Sequence, residues 1–121
     1  ERECSITRET TRQLGEYFQR QRRAFDLPFE LVGTDFQKKV WKELANIPFG
    51  ETRSYQQQAQ RVGKPKAVRA VGGTNARNPL CLILPCHRVI GASGRLTGYA
   101  GGLDVKQFLL RLEGHDLEKF K

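Results

Sequence analysis

A chain of 121 residues with a net charge of +8 and a pI near 9.8 is long enough for one domain with a hydrophobic core. Its hydrophobic residues, 38% of the total, never form the run of about 18 that a membrane-spanning helix needs, and no signal-peptide pattern is seen. The excess of 21 Lys and Arg over 13 Asp and Glu favours a polyanionic partner, although basic surfaces without one are common.

The cysteine and histidine content argues against a structural metal site. Cys4, Cys81 and Cys86 are odd in number and lack metal-ligand spacing. The only two histidines are His87 and His115. We therefore expect no metal, no membrane association and a reducing compartment, either the cytoplasm or the nucleus.

The first predicted element is a helix that Ser5 caps and that runs to about Arg23. Its apolar face carries Leu14, Tyr17 and Phe18. Residues 26–29 end this helix and begin a linker, because they contain a proline that cannot continue the helical hydrogen bonds.

Two capping boxes place the next two helices. Thr34 with Gln37, and Ser54 with Gln57, each pair an N-cap hydroxyl with a glutamine three residues later. The first box opens a helix that residues 48–50 end. The predicted inward stripe of this helix, with the tryptophan beside it, is Phe36, Val40, Leu44, Ile47 and Trp41.

A helix-turn-helix is predicted after the second box. Gly63 ends the helix that Ser54 opens, and Pro65 starts the next helix at the first helical position, which proline favours. The second helix of such a pair is the usual DNA-recognition element, although short helix pairs are often simple packing units. Gly72 and Gly73 each cost a helix about 1 kcal/mol relative to alanine, so they indicate close approach of another backbone, such as a nucleic acid.

The most reactive stretch is Pro85-Cys86-His87-Arg88. Residues 80–84 are predicted to form a short buried strand or extended segment, which Pro85 ends. Cys86 then lies where the backbone turns, beside two groups that favour a nucleophilic thiolate. The alternative is a small buried hydrophobic residue next to a solvated histidine and arginine.

The rest of the chain predicts a turn, a loop and one more helix. The turn covers residues 91–94 and the glycine-rich loop residues 97–102. A final amphipathic helix is predicted over residues 103–113, with Gly114 ending it. Its predicted inward side chains are Val105, Leu109 and Leu112. The tail, residues 115–121, is charged and predicted to fray.

Three of these motifs together resemble the O6-alkylguanine-DNA alkyltransferases. They are Pro85 to Val89, the upstream Asn78-Pro79, and the downstream Gly98-Tyr99-Ala100-Gly101-Gly102. The resemblance implies a mainly α fold, with a winged-helix-like helix-turn-helix domain that binds DNA and holds the active site over residues 33–114. An N-terminal helix and linker over residues 1–32 precede it and the tail follows, with the N-terminal sheet of the family missing.

The resemblance implies direct-reversal DNA repair. An alkyl group passes irreversibly from O6-alkylguanine in DNA to Cys86, once per molecule and without a cofactor, and O4-alkylthymine is an open second substrate. The expected partner is double-stranded DNA containing O6-alkylguanine, bound by a monomer. Because the target atom lies inside the duplex, the base has to be extruded, at a cost of a few kcal/mol.

Roles near the thiol follow from the same resemblance. Cys86 is the nucleophile, His87 acts on it through a water, and Glu113 orients the imidazole. The alternative for Glu113 is an exposed residue at a helix end, where a negative charge is slightly unfavourable against the helix dipole, and this favours a cationic or imidazole partner. Asn78 links the recognition helix to the active-site segment, which is compatible with a helix C-cap.

Other residues are implied to contact the substrate. Tyr99 stacks on the extruded base, and the backbone at Val89 and Ala100 reads its edges; Ala100 replaces the serine of some members. Tyr55 lies near the target phosphate, and Arg69 fills the vacated stack. Further DNA-contacting positions are Ala67, Gly72 and Gly73.

Two other classes of protein stay open at this point. The first is a non-enzymatic alkylated-base-binding protein of the alkyltransferase-like type, although such proteins carry a different residue where Cys86 stands. The second is a DNA-binding regulator or redox sensor with an incidental cysteine. A regulator has no need for Glu113, Asn78 and Tyr99 in register with Cys86.

Overall fold

The computed structural model describes residues 2–27, 30–80, 82–91, 94, 96 and 102–120, with side chains from residue 8 onward. Its elements are α1 (Arg2–Phe18), α2 (Asp35–Leu44), β1 (Arg53–Ser54), α3 (Tyr55–Arg61), α4 (Val68–Ala76), a 3₁₀ turn (Cys86–Arg88), β2 (Val89–Ile90), α5 (Leu103–Leu112) and a second 3₁₀ turn (Leu117–Phe120). The predicted mainly α fold is confirmed. Within these ranges no helix is long and apolar enough to cross a membrane.

Helix α1 differs from its prediction at both ends. Ser5 lies inside the helix and does not cap it, since the helix begins at Arg2. The helix ends at Phe18, well before Arg23, because Arg20 adopts a left-handed φ of 61°. In that conformation Gln21 N–H bonds the carbonyl of Glu16 at 2.8 Å, which closes the helix end.

The inward face of α1 packs only partly as predicted, with Leu14 half-buried. Tyr17 is fully buried and packs with Leu109 and Leu112 of α5. Phe18, which was also expected inside, is 45% exposed. The helix is therefore anchored on the rest of the domain mainly through Tyr17.

Both predicted capping boxes are confirmed. Thr34 Oγ1 accepts from Gln37 N–H at 3.0 Å, and Gln37 Oε1 accepts from Thr34 N–H at 3.0 Å. Ser54 and Gln57 make the same reciprocal pair at 3.1 and 2.8 Å. The stripe of α2 lies inward, with Val40, Trp41, Leu44 and Ile47 buried and Phe36 half-buried.

The helix-turn-helix consists of α3 and α4, which pack against α2. Gly63 ends α3 as predicted, with a left-handed φ of 80°. The prediction that Pro65 starts α4 is wrong, because α4 begins at Val68. Pro65 lies instead in a turn that the Ala67 N–H closes on the carbonyl of Lys64 at 2.9 Å, and its fixed φ suits that turn equally well.

The segment before the reactive cysteine is not extended. Leu84 N–H bonds the carbonyl of Leu80 at 2.8 Å, and Leu82 has a positive φ of 77°, so residues 80–84 form a turn. Leu84 makes a single isolated bridge, and a strand begins only after the cysteine, where β2 runs parallel to β1 with Arg53 opposite Val89. Cys81 lies outside the described residues. The prediction of a strand ending at Pro85 is therefore wrong.

Helix α5 keeps most of its predicted face. Leu109 and Leu112 are buried, but Val105 is 43% exposed and Lys106 takes the inward position instead. Gly114 follows the helix with a left-handed φ of 95°.

The predicted turn over 91–94 is confirmed by its closing bond, because the N–H of Gly94 donates to the carbonyl of Gly91 at 2.9 Å, although residues 92 and 93 lie outside the described residues. Of the predicted loop over 97–102, Gly102 alone is described.

The tail is ordered against the domain, contrary to the prediction that it frays. Phe120 is 6% exposed and packs with Ile90 and Leu110. His115 is also buried and faces the Phe120 ring. His115, Leu117 and Phe120 together hold this charged segment on the domain, while Asp116, Glu118 and Lys119 stay exposed to solvent.

The largest core cluster lies where α2 meets the reactive segment. Its members are Leu31, Trp41, Leu44, Ile47, Leu84, Cys86 and Val89. Cys86 is therefore built into the core on one side, which limits the conformations available to its side chain.

Candidate active site

Cys86 stands at the first position of the 3₁₀ turn and is 5% exposed. Its N–H donates to the carbonyl of Leu84 at 2.8 Å, and the N–H of Arg88 donates to the carbonyl of Pro85 at 3.0 Å. These bonds turn the chain sharply between the loop and β2. The next two side chains, His87 and Arg88, therefore point into the buried interior.

Both of these side chains meet Glu113, at the C-cap of α5. His87 Nε2 lies 2.8 Å from Glu113 Oε2. Arg88 donates from Nε to Oε1 and from Nη2 to Oε2, each at 2.8 Å. Tyr17 of α1 donates its hydroxyl to Oε2 at 2.6 Å. Glu113 is 4% exposed, so the alternative of an exposed helix-end residue is wrong.

The charge of Glu113 follows from these donors. Burial by itself raises the pKa of the carboxyl, but the hydrogen bonds from His87, Arg88 and the hydroxyl of Tyr17 lower it to about 2. Glu113 is therefore ionised at neutral pH and accepts at both oxygens.

The state of His87 follows in turn. Burial lowers the pKa of the imidazole below its usual range, and this outweighs the opposing effect of Glu113. A neutral imidazole beside an ionised carboxylate carries its proton on Nε2. Nδ1 is then a lone-pair acceptor, and among the described residues it has no hydrogen-bond partner. The second nitrogen of His87 is thus positioned to take up a proton.

Arg88 has a different partner from the one expected. The sequence suggested that its charge favours a thiolate at Cys86, yet its guanidinium pairs with Glu113. Its Nη1 donates to the carbonyl of Ile47 at 2.6 Å, and the group lies 5.8 Å from the centre of the Phe49 ring. Arg88 therefore ties the reactive segment to the end of α2.

Lys106 is the site residue that the sequence analysis missed. It is fully buried, and its Nζ donates to the carbonyl of Val89 at 2.6 Å. Burial lowers the pKa of the ammonium to about 8, while the charge of Cys86 acts in the opposite direction. The helical spacing of α5 could have predicted this inward position, because Lys106 lies three residues before the inward Leu109 and seven before Glu113.

Asn78 holds the loop that leads to the thiol. Its Nδ2 donates to the carbonyl of Leu84 at 2.6 Å, and its Oδ1 accepts from the N–H of Leu80 at 2.8 Å. Two backbone groups that an extended strand would use are thus satisfied by one amide side chain. This replacement explains why residues 80–84 turn instead of forming a strand.

The predicted DNA-contacting residues lie on the helix-turn-helix. Tyr55 is half-buried at the start of α3, and a Cβ added at Gly72 would meet its ring at 3.8 Å. Arg69 and Gly73 are exposed on α4, and a Cβ at Gly73 would meet nothing within 4 Å among the described residues. No close backbone within the described protein explains the glycine pair. Ala67 is the half-buried N-cap of α4.

Comparison with known proteins decides the family. A sequence model described as "6-O-methylguanine DNA methyltransferase, DNA binding domain" matches residues 35–115. The chain belongs to this family. It is 58% identical over 110 residues to the methylated-DNA–protein-cysteine methyltransferase of Methanosarcina barkeri. The aligned region covers 91% of this chain and 70% of the relative.

Solved structures agree with this membership. The Mycobacterium tuberculosis OGT in complex with DNA aligns with a TM-score of 0.85 and 51% identity over 92% of this chain and 67% of that one. The M. tuberculosis O6-methylguanine methyltransferase gives a TM-score of 0.82, also at 51% identity, over 93% and 71% of the two chains. The helix-turn-helix and the reactive segment thus share one alkyltransferase fold.

Two residues that the family resemblance assigned to the alkyltransferase pocket, Tyr99 and Ala100, lie outside the described residues. Val89 is buried, and its carbonyl already accepts from Lys106. The described ranges contain no group of three or more His, Cys, Asp or Glu able to hold an ion.

Lys106→Met is expected to flatten the pH dependence of alkyltransferase stability above pH 8. The ammonium pKa is about 8 in the folded protein and 10.5 without the fold, so the unfolded chain binds more protons between these values. The free energy of unfolding of the parent therefore rises with pH over that interval, by an amount on the order of 3 kcal/mol from this residue. Urea unfolding across the interval measures the difference between the two proteins.

Lys42→Met is the control for this measurement, because Lys42 is an exposed lysine of α2. It should follow the parent curve. A Lys106→Met curve parallel to the parent contradicts the burial of a charged ammonium at this site.

Proposed function

We propose that this chain repairs alkylated DNA by transferring an alkyl group from O6 of guanine to Sγ of Cys86. Membership of the family makes the chain a DNA-repair methyltransferase. The observation that carries the assignment of residues is the fully buried His87–Glu113 pair directly after Cys86, with Nε2 and Oε2 2.8 Å apart.

Cys86 becomes nucleophilic by losing its proton to Nδ1 of His87 through a bridging water. The proton on Nε2 stays between His87 and Glu113, whose negative charge stabilises the imidazolium that forms. Lys106 supplies a second cation near the thiolate, since the charges of Lys106 and Cys86 are close enough to affect each other. Asn78 supports the loop that presents the thiol.

The transfer itself is a single displacement at the alkyl carbon. A bond forms between Sγ of Cys86 and that carbon as the bond from the carbon to O6 of guanine breaks. The electron pair of the broken bond passes to the purine, which takes up a proton at N1 from water and becomes ordinary guanine, while the proton that Cys86 gave to His87 returns to water. The thioether is stable, and the sequence contains only Cys4 and Cys81 as other thiols, so one molecule repairs one base.

DNA reaches the site along the exposed face of α4. Exposed positions on this helix are Arg69, Ala70, Gly73 and Ala76, and its C-cap residue Arg77 is also exposed. Small side chains between two arginines let the helix approach the duplex closely while the guanidinium groups meet phosphates or the base stack. Because Cys86 is 5% exposed, the target base has to leave the duplex to reach it, and Arg69 then fills the gap.

Other residues are proposed to contact the DNA or the extruded base. Tyr55 faces the target phosphate, Ala67 and Gly72 line the contact with DNA, and the backbone at Val89 and Ala100 reads the base that stacks on Tyr99. The proposed partner is double-stranded DNA with O6-alkylguanine, bound by a monomer in the cytoplasm or the nucleus. O4-alkylthymine is a second candidate base.

The alternative of a lesion-binding protein without transfer is disfavoured. The chain has a cysteine at the position of the nucleophile, and relatives with 53–58% identity carry the name methylated-DNA–protein-cysteine methyltransferase. An incidental cysteine in a DNA-binding regulator does not account for a buried histidine–carboxylate pair beside it.

Intact-mass analysis after mixing with O6-methylguanine duplex tests the proposed function. The parent should gain one methyl group, and Cys86→Ser should gain none while still binding the duplex, because serine is a far weaker nucleophile at neutral pH. Peptide mapping locates the methyl group. A methyl on Cys4 or Cys81, or binding without any mass change, would falsify the assignment.

Arg69→Ala should slow transfer from duplex DNA much more than transfer from free O6-benzylguanine. Arg69 is exposed and its loss removes no core contact, so the pocket for a free base should survive. Single-turnover rates on the two substrates give the comparison. Arg8→Ala, which removes the same charge from an exposed position on α1, is the matched control. An equal loss on both substrates excludes a role for Arg69 in base extrusion.

Glu113→Gln should slow transfer at pH 7 and recover part of the rate as pH rises. Without the carboxylate, His87 is a weaker base, and a thiol that ionises unaided has a pKa of about 8.5. The variant also leaves the buried Arg88 charge unpaired, which costs about 3–5 kcal/mol of stability. Single-turnover pH–rate profiles on protein shown to be folded by circular dichroism test this expectation.

His87→Leu provides a second variant for the same test, because it keeps the Glu113–Arg88 pair intact. Its profile should show the same loss at neutral pH and the same recovery in alkali. Profiles of both variants that superimpose on the parent remove His87 and Glu113 from the mechanism.

A further inference from the structure

Helix α4, which the proposed function places against DNA, has weak local support. Its N-cap is Ala67, which makes no side-chain capping bond. Gly72 and Gly73 in its middle each cost about 1 kcal/mol relative to alanine. A nine-residue helix with these features is unstable alone, so its position depends on contacts with α2 and α3.

Those contacts are polar at one end of the helix. Gln58 of α3 and Asn75 of α4 form a reciprocal amide pair, with Nε2 of Gln58 donating to Oδ1 at 2.9 Å and Nδ2 of Asn75 donating to Oε1 at 2.7 Å. Gln58 Nε2 also lies 3.4 Å from the carbonyl of Val40. Beside the pair, Trp41 Nε1 donates to the carbonyl of Thr74 at 2.9 Å.

The pair is buried, with Gln58 1% and Asn75 5% exposed. Two apolar side chains of similar volume would fill this space with comparable stability, because a buried hydrogen bond contributes little net free energy. They would, however, allow α4 to slide or rotate, whereas two opposed amide bonds require one register. The amide pair therefore fixes the position of α4 more than it adds to the free energy of unfolding.

We propose that the Gln58–Asn75 amide pair is the positioning element that holds α4 in register for base extrusion. This inference rests on the proposed function. Arg69 lies six residues before Asn75 on the same helix, about 9 Å away along the helix axis. Because the helix moves as one unit, a shift at Asn75 also moves Arg69 and the exposed Gly73. Neither amide hydrogen-bonds Cys86, His87 or Glu113, since their partners are each other and the carbonyl of Val40.

Gln58→Leu tests the proposal. Transfer from O6-methylguanine duplex should fall by roughly tenfold or more, as small misplacements of positioned groups do, while transfer from free O6-benzylguanine stays within about twofold of the parent. Gln13→Leu is the matched control, because Gln13 is also a buried glutamine whose amide makes two bonds to the backbone of Asp26, away from α4. The control should leave the ratio of the two rates unchanged.

Asn75→Leu breaks the pair from the other side and should give the same change in ratio. Thermal unfolding confirms that each variant is folded at the assay temperature, and if Gln58→Leu is not, Asn75→Leu alone decides. Equal losses on both substrates, or an unchanged duplex rate, overturn the positioning role. A parent that transfers no alkyl group from duplex DNA is a different result, since it refutes the proposed function itself.

Discussion

The buried carboxylate of Glu113 is the charge on which the active site depends. It joins three separate parts of the chain, because its donors are Tyr17 in α1 and His87 and Arg88 in the reactive segment, while Glu113 itself ends α5. Arg88 is buried and needs the negative charge of Glu113 to balance its own. Glu113 Oε2 also sets the tautomer of His87, because it accepts the hydrogen bond from Nε2. The ionised Glu113 thus holds the Cys86 segment in place and fixes the tautomer in which His87 can act as a base.

The two halves of the site meet on α2. Trp41 packs in the core cluster that contains Cys86 and also donates to the carbonyl of Thr74 in α4. Val40, next to it, packs with Ala59 of α3 and Val71 of α4. One short helix therefore supports both the thiol segment and the DNA-facing helix. This arrangement explains how a small domain keeps a reactive group and a recognition helix in a fixed relation.

Sequence predictions succeeded where the determinants are local. The capping boxes at Thr34 and Ser54 were confirmed because a hydroxyl and a glutamine three residues apart make their bonds within one helical turn. They failed where a side chain satisfied backbone groups in place of regular pairing, or where one residue took a left-handed conformation that residue type does not favour. Asn78 satisfies Leu80 and Leu84 and so prevents a strand, and the left-handed Arg20 ends α1 before any breaker in the sequence.

The sequence by itself determined the helical composition, the helix-turn-helix and the reactive thiol beside a histidine, since these depend on residue type and short spacing. Only the tertiary structure decided which charges are buried. The pairing of Arg88 with Glu113, the inward ammonium of Lys106 and the hydroxyl of Tyr17 depend on residues between 17 and 96 positions apart. A buried charge is tolerated only where the fold brings it a partner, and no local pattern records that partner.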